Sequence, residues 1–160
     1  VPTLDPNSSY IRNAWKEAVL PLAEKLKVPM NLPPMQPRSR RAHEAAHWAG
    51  STGAFAAYNA ALFRAFFERG EDIGDTGVLI RLAADLGLDG ERLGMALERR
   101  EFEKGVLADE EDAARFGVRA VPCFVADGTV MLSGVQPAER LKEMIGRVRK
   151  GLVGKGDFVF

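Results

Sequence analysis

The chain holds a single cysteine, Cys123, and two histidines, His43 and His47, among 160 residues. One thiol cannot close an intrachain disulfide, and it excludes a zinc site built on several thiolates. No Cys-x-x-C pair is present. Net charge is missing as well: 22 Lys and Arg balance 22 Asp and Glu. That balance leaves no basic field for nucleic acid or for an anionic membrane. No apolar run approaches the length of a membrane span. The opening VPTLDPNSSY has neither a basic start nor an apolar stretch, so no secretory leader is expected in it. The lone thiol fits a reducing, cytoplasmic compartment. Internal repeats and low-complexity tracts are absent.

What is present is ordinary globular material. Apolar residues make up 46% and charged residues 28%, enough for one compact domain with a real core. Ser8 or Ser9 is placed to cap a helix from about Tyr10, with Ile11, Trp15, Val19 and Leu22 on one face. Pro21 is expected to kink or split that helix. PMNLPPMQP then reads as an extended connector. Ser39 is placed to cap RRAHEAAHWAG, which ends at Gly50. The helical stripe Phe55, Tyr58, Leu62, Phe63, Phe66 and Phe67 follows, and Gly70 stops it. Asp75 or Thr76 opens GVLIRLAADLG, Asp89 opens GERLGMALERREFEKG, and Asp109 opens EEDAARFG. Short helices with short links describe a small helical subdomain.

After Gly117 the period changes. AVPCFVADGTVMLSG is two short apolar runs around Asp127–Gly128, the strongest short-range hairpin signal. QPAERLKEMIGRVRKG closes as a helix, with Pro137 suited to its first position and Gln136 with Glu139 as a weak capping box. The order is helices, then strand, strand, helix. A lone hairpin is barely stable and leaves open edges. Either a second copy completes the sheet, or sheet-forming sequence belongs before residue 1. A homodimer is expected; the alternative is that the tail DFVF folds back as a third strand.

Two stretches carry a family resemblance. RRAHEAAHWAGSTGAFAAYNAALFRAFFERGEDIGDTGVLIRLAADLGL resembles the helical insertion of DsbA-type thioredoxin-fold proteins, and FGVRAVPCFVADGTVMLSGVQPAERL resembles their second half. The nearest branch is FrnE-like, beside the 2-hydroxychromene-2-carboxylate isomerases and the kappa-class glutathione transferases. The resemblance spans roughly residues 8–148. It implies an α/β fold: an incomplete DsbA-like thioredoxin fold, a helical insertion plus a C-terminal ββα half. The expected divisions are 1–37 (helix and Pro-rich connector), 38–116 (helical insertion), 117–150 (ββα half) and 151–160 (tail). The βαβ half that ordinarily carries Cys-x-x-C at a helix start is not found here, which marks the sequence as a piece of a longer oxidoreductase. The implied function is protein thiol–disulfide exchange on a peptide thiol or disulfide, inactive in this chain without its cysteine pair. The alternatives are a glutathione-dependent kappa-class transferase or isomerase, with glutathione as cofactor, and a non-catalytic interaction module. SGVQP in place of a GQD-like ending favours the first.

By the same resemblance the Val121–Pro122 bond is cis and faces the substrate, so Ala120, Val121 and Pro122, with His43, are the expected substrate-binding residues. Read from the residues alone, Pro122 is a trans proline at a strand start. Cys123 reads as a small buried apolar residue, because nothing adjacent in sequence lowers its pKa; no catalytic residue is assigned, and Cys123 stays the one candidate thiol. HEAAH, residues 43–47, matches the zinc-protease pattern with His43 and His47 as ligands and Glu44 as base. The pattern is short, and the longer resemblance accounts for it without metal. Trp15, Trp48 and the Phe55–Phe67 stripe read as core. Arg38, Arg40 and Arg41 read as a solvated helix start, the sharper alternative being contact with a glutathione or peptide carboxylate.

Overall fold

The computed structural model describes residues 8–128 and 130–151, and the backbone of residues 158–159. It divides into two compact units, Val1–Val106 and Leu107–Phe160.

The first unit is helical. Helix α1, Ser9–Ala14, starts where the Ser8 hydroxyl accepts from the Ile11 amide. The run passes through a π-helical stretch, Trp15–Val19, into α2, Leu20–Leu26. Pro21 lies at that junction. The expected break is therefore a change of winding: the wider turn accommodates a residue with no N–H to donate. Helix α3 covers Arg40–Ser51 and α4 covers Phe55–Phe63, followed by a second π stretch, Arg64–Glu68. Ser39 occupies the cap position of α3 but makes no capping hydrogen bond. Helices α5, Thr76–Asp85, and α6, Gly90–Glu98, are capped by Asp75 and Asp89, whose carboxylates accept from the Val78 and Arg92 amides. Each such cap contributes about 1 kcal/mol.

The long helix expected to run on from Asp89 is shorter. Arg100 takes φ 52°, a left-handed conformation that ends the turn after α6, and α7 begins at Glu103 and runs to Arg115. Asp109 therefore sits inside α7 rather than opening a helix. Gly105, the last residue of the helix expected from Asp89, lies inside α7. A Cβ there would lie 3.1 Å from His47 Nδ1, so glycine lets α7 approach α3 closely.

The core of this unit gathers Trp48, Tyr58, Leu62, Leu79, Leu82, Leu93 and Leu97 with a set of alanines. The expectation that the whole Phe55–Phe67 stripe is core does not hold: Phe55 and Phe63 are exposed, and Phe66 and Phe67 are half-buried. The stripe is too wide for the single seam that α3 and α5 offer, so the core takes Tyr58 and Leu62 and leaves its flanks outside.

The second unit is built on a small sheet. Strands β1, Cys123–Ala126, and β2, Val130–Ser133, pair antiparallel with Cys123 opposite Ser133 and Phe124 opposite Leu132. Asp127 and Gly128 both take positive φ, 53° and 62°, as a hairpin turn of this sequence requires. Strand β3, Phe158–Val159, pairs parallel with β2, giving the order β1–β2–β3. The tail thus adds a strand, but on β2; among the described residues the outer edge of β1 has no partner. Asp157 and Phe160 of the DFVF alternative lie outside the described residues.

Helix α8, Ala138–Arg149, follows Pro137, which is the cap residue rather than the first helical one. Gln136 makes no capping box; its amide donates to the Ser133 carbonyl at 2.6 Å. One face of the sheet, Phe124, Ala126, Val130 and Leu132, packs with Leu141, Met144 and Val148 of α8. No helix among the described residues is long and apolar enough to cross a membrane.

Candidate functional site

The strand β1 begins one residue after Pro122, and the three residues before Cys123 stand out in the open. Ala120, Val121 and Pro122 are all exposed, and Val121 is 87% exposed although apolar. The Val121–Pro122 peptide bond is cis. The ladder starts only at Cys123, so the Val121 backbone takes no part in it. The Pro122 carbonyl is tied back to the Gly134 amide at 2.8 Å, which anchors the segment beside the hairpin end.

Alternation decides what faces what. Phe124 and Ala126 point to α8, so Cys123 and Val125 point to the opposite face with their cross-strand partners Ser133 and Met131. On that face lies a cavity of about 560 Å³ lined by Cys123, Met131, Ser133, Phe116, Arg119 and Ala120, among others. Cys123 is half-buried in its wall. The expected burial of Cys123 is met only in part, because α8 covers the other face of the sheet. Ser133, Met131 and Phe116 were not singled out in the sequence. The hairpin register would have found the first two, since centring the turn near Gly128 places Ser133 across from Cys123.

His43 lies in the other unit, on α3. It is exposed and borders a separate cleft of about 180 Å³ with Phe63, Phe66 and Phe67. His47 packs against Gly105. Glu44, the base in that pattern, is only 5% exposed, and its Oε2 has no hydrogen-bond partner. Burial, and after it the nearby Glu103, push its carboxyl above the usual range, while Arg41, Arg100 and Arg40 pull it back. Among the described residues no three His, Cys, Asp or Glu side chains gather as a metal site. Arg41 reaches the Thr76 hydroxyl at 2.5 Å, which gives one member of the arginine cluster a structural partner.

The sequence profile of the DSBA-like thioredoxin domain matches residues 9–146. The chain belongs to that family. The match runs from α1 to α8 and so includes both the helical unit and the ββα part. A solved structure from Nitrosomonas europaea, a candidate protein disulfide isomerase, superposes with a TM-score of 0.69 at 21% identity, covering 89% of this chain and 76% of that one. At that identity the likeness shows the fold, an α/β thioredoxin-type arrangement rich in helix. The uncharacterised protein YwbO of Bacillus subtilis (strain 168) is 34% identical over 135 residues, 81% of this chain. The chain spans about 65% of the length of YwbO.

Proposed function

We propose that this chain is the substrate-holding part of a DsbA/FrnE-type thiol–disulfide oxidoreductase, working in a reducing, cytoplasmic compartment. The observation that carries the reading is Val121. It is a large apolar residue, 87% exposed, with its backbone outside the ladder and next to the edge of β1 that has no partner among the described residues. Such an edge accepts an extended peptide by strand addition, with main-chain hydrogen bonds for affinity and side-chain pockets for choice. Ala120, Val121 and Pro122 supply the edge, and the cavity at Cys123 and Ser133 receives a side chain on the far face.

The redox step needs a thiolate that attacks one sulfur of the substrate disulfide and a second thiol that resolves the mixed disulfide. Cys123 is the only thiol among these 160 residues. The exchanging pair therefore comes from outside them, and the role of this chain is to bind and orient. Family membership supports the assignment, as does the placement of the proline segment at the mouth of the sheet.

An insulin-reduction assay with dithiothreitol tests this division of labour. The 160-residue chain is expected to leave the rate at the buffer level. Turnover above buffer that disappears in Cys123→Ser would make the lone thiol catalytic and overturn the reading.

A further inference from the structure

Among the described residues, Glu44 on α3 is the one charged side chain that is buried. Its face of the helix meets the start of α7. His47, three residues on, lies against Gly105 of α7, and residues three apart share a helix face. Glu103, in the first turn of α7, and Arg100, just before it, both act on the Glu44 carboxyl. Arg41 and Arg40 act on it from α3 itself. None of these cations closes a hydrogen bond to Glu44 Oε2, which has no partner among the described residues. Arg100 pairs with Glu103 at 3.3 Å, and Arg41 reaches the Thr76 hydroxyl.

A buried carboxylate that lacks partners is far less favourable than a buried neutral carboxyl. A second carboxylate close by makes the charged form worse still. Once Glu44 ionises, something beside it has to give. Helix α3 is held in the core by Ala42, Ala45, Ala46, Trp48 and Ala49. The turn before α7 is tied to α6, where Glu101 accepts from Arg92 at 2.7 and 3.2 Å. The first turn of α7, residues 103–106, has a single buried side chain, Val106, so it is the piece that yields. We propose that Glu44 is a proton-operated latch for this turn: neutral, it lets the turn seat on α3; ionised, it releases it.

Burial, and after it Glu103, raise the Glu44 carboxyl above its ordinary value of 4.5, against the pull of Arg41, Arg100 and Arg40. The seated turn therefore keeps the proton longer than the released turn does. Seating is fully present below pH 4.5 and weakens as pH climbs through the raised value. Glu103 alone would act in the opposite sense, because a negative charge in the first turn strengthens a helix start. The division between the two compact units falls just after Val106. The latch thus sets how firmly the helical unit holds the start of the helix that leads out of it.

The test is amide hydrogen exchange of the full chain by NMR from pH 4 to 7, expressed as protection factors. The Val106 amide, which donates to the Phe102 carbonyl at 3.2 Å, reports on the turn. The amides of Leu82 and Ala83, buried inside α5, report on the core. Val106 protection is expected to lie below theirs, as for a local opening. It should fall above pH 4.5 by up to about tenfold per pH unit, then level off. Glu44→Gln should hold it constant, and Glu103→Gln should shorten the range over which it falls. A flat Val106 profile in the wild type overturns the proposal without any variant. So does protection equal to that of α5 at every pH, which would mean that only global unfolding frees Glu44. A slope that survives in Glu44→Gln would assign it to His47 and overturn the latch, as would an unchanged range in Glu103→Gln.

Discussion

Tyr58→Phe isolates one buried hydrogen bond in the helical unit. Tyr58 is fully buried, and its hydroxyl donates to the Leu79 carbonyl at 2.8 Å, linking α4 to α5 across the core. The phenylalanine ring fills the same space, so the cavity term is small. The Leu79 carbonyl lies inside α5 and keeps its helical partner. What is lost is one neutral hydrogen bond, about 0.5–1.5 kcal/mol. For a unit of this size that corresponds to a fall in Tm of roughly 4–8 °C per kcal/mol. Burial also raises the Tyr58 hydroxyl above its ordinary pKa. A raised folded pKa means the unfolded chain ionises first as pH climbs. The contribution of Tyr58 is therefore intact below about pH 10 and declines above it, by up to about 1.4 kcal/mol per pH unit. The variant has no such group. The gap between the two proteins should be near 1 kcal/mol at pH 8 and close by about pH 11. Urea unfolding read by tryptophan fluorescence measures it, since Trp15 and Trp48 both lie in this unit. A gap that is absent at pH 8, or that stays constant to pH 11, would refute the reasoning.

Two further outcomes are expected. Glu44→Gln should gain stability on the wild type as pH rises from 4 to 7, because burial and then Glu103 hold the Glu44 carboxyl protonated longer in the folded state than in the unfolded one; the same unfolding assay across pH measures it, and a variant that loses ground over that range contradicts the assignment. In the absence of peptide, the β1 edge that has no partner among the described residues should bring two copies together, so light scattering at micromolar concentration should give twice the 17.5 kDa chain mass, and added peptide should compete with the second copy for that edge; a monomer would mean the edge is satisfied otherwise.

Several elements were legible in the sequence for local reasons. Asp75 and Asp89 cap their helices as read, and Asp127–Gly128 turns the hairpin, because side-chain chemistry and allowed φ act within a few residues. The errors arose where distant packing decides. Gly105, the last residue of the helix expected from Asp89, lies inside α7 as a contact surface for His47. Arg100 breaks a helix with no glycine to announce it. Cys123 looked like core because alternation tells which residues share a face, not which face a helix covers. The family resemblance rested on the order of several motifs and extended over both units, which is why it survived these local misreadings. HEAAH shows the opposite case: a short pattern whose two histidines end in different surroundings.

Peptide capture at the β1 edge tests the central claim most directly. A labelled extended peptide with a central disulfide-bonded cysteine is titrated into the chain, and backbone amide exchange is followed by NMR. The account predicts slowed exchange and shifted resonances over Val121–Val125, with affinity lowered by Val121→Lys and unchanged in folded content. Binding that leaves these amides untouched, or that ignores Val121→Lys, would contradict it.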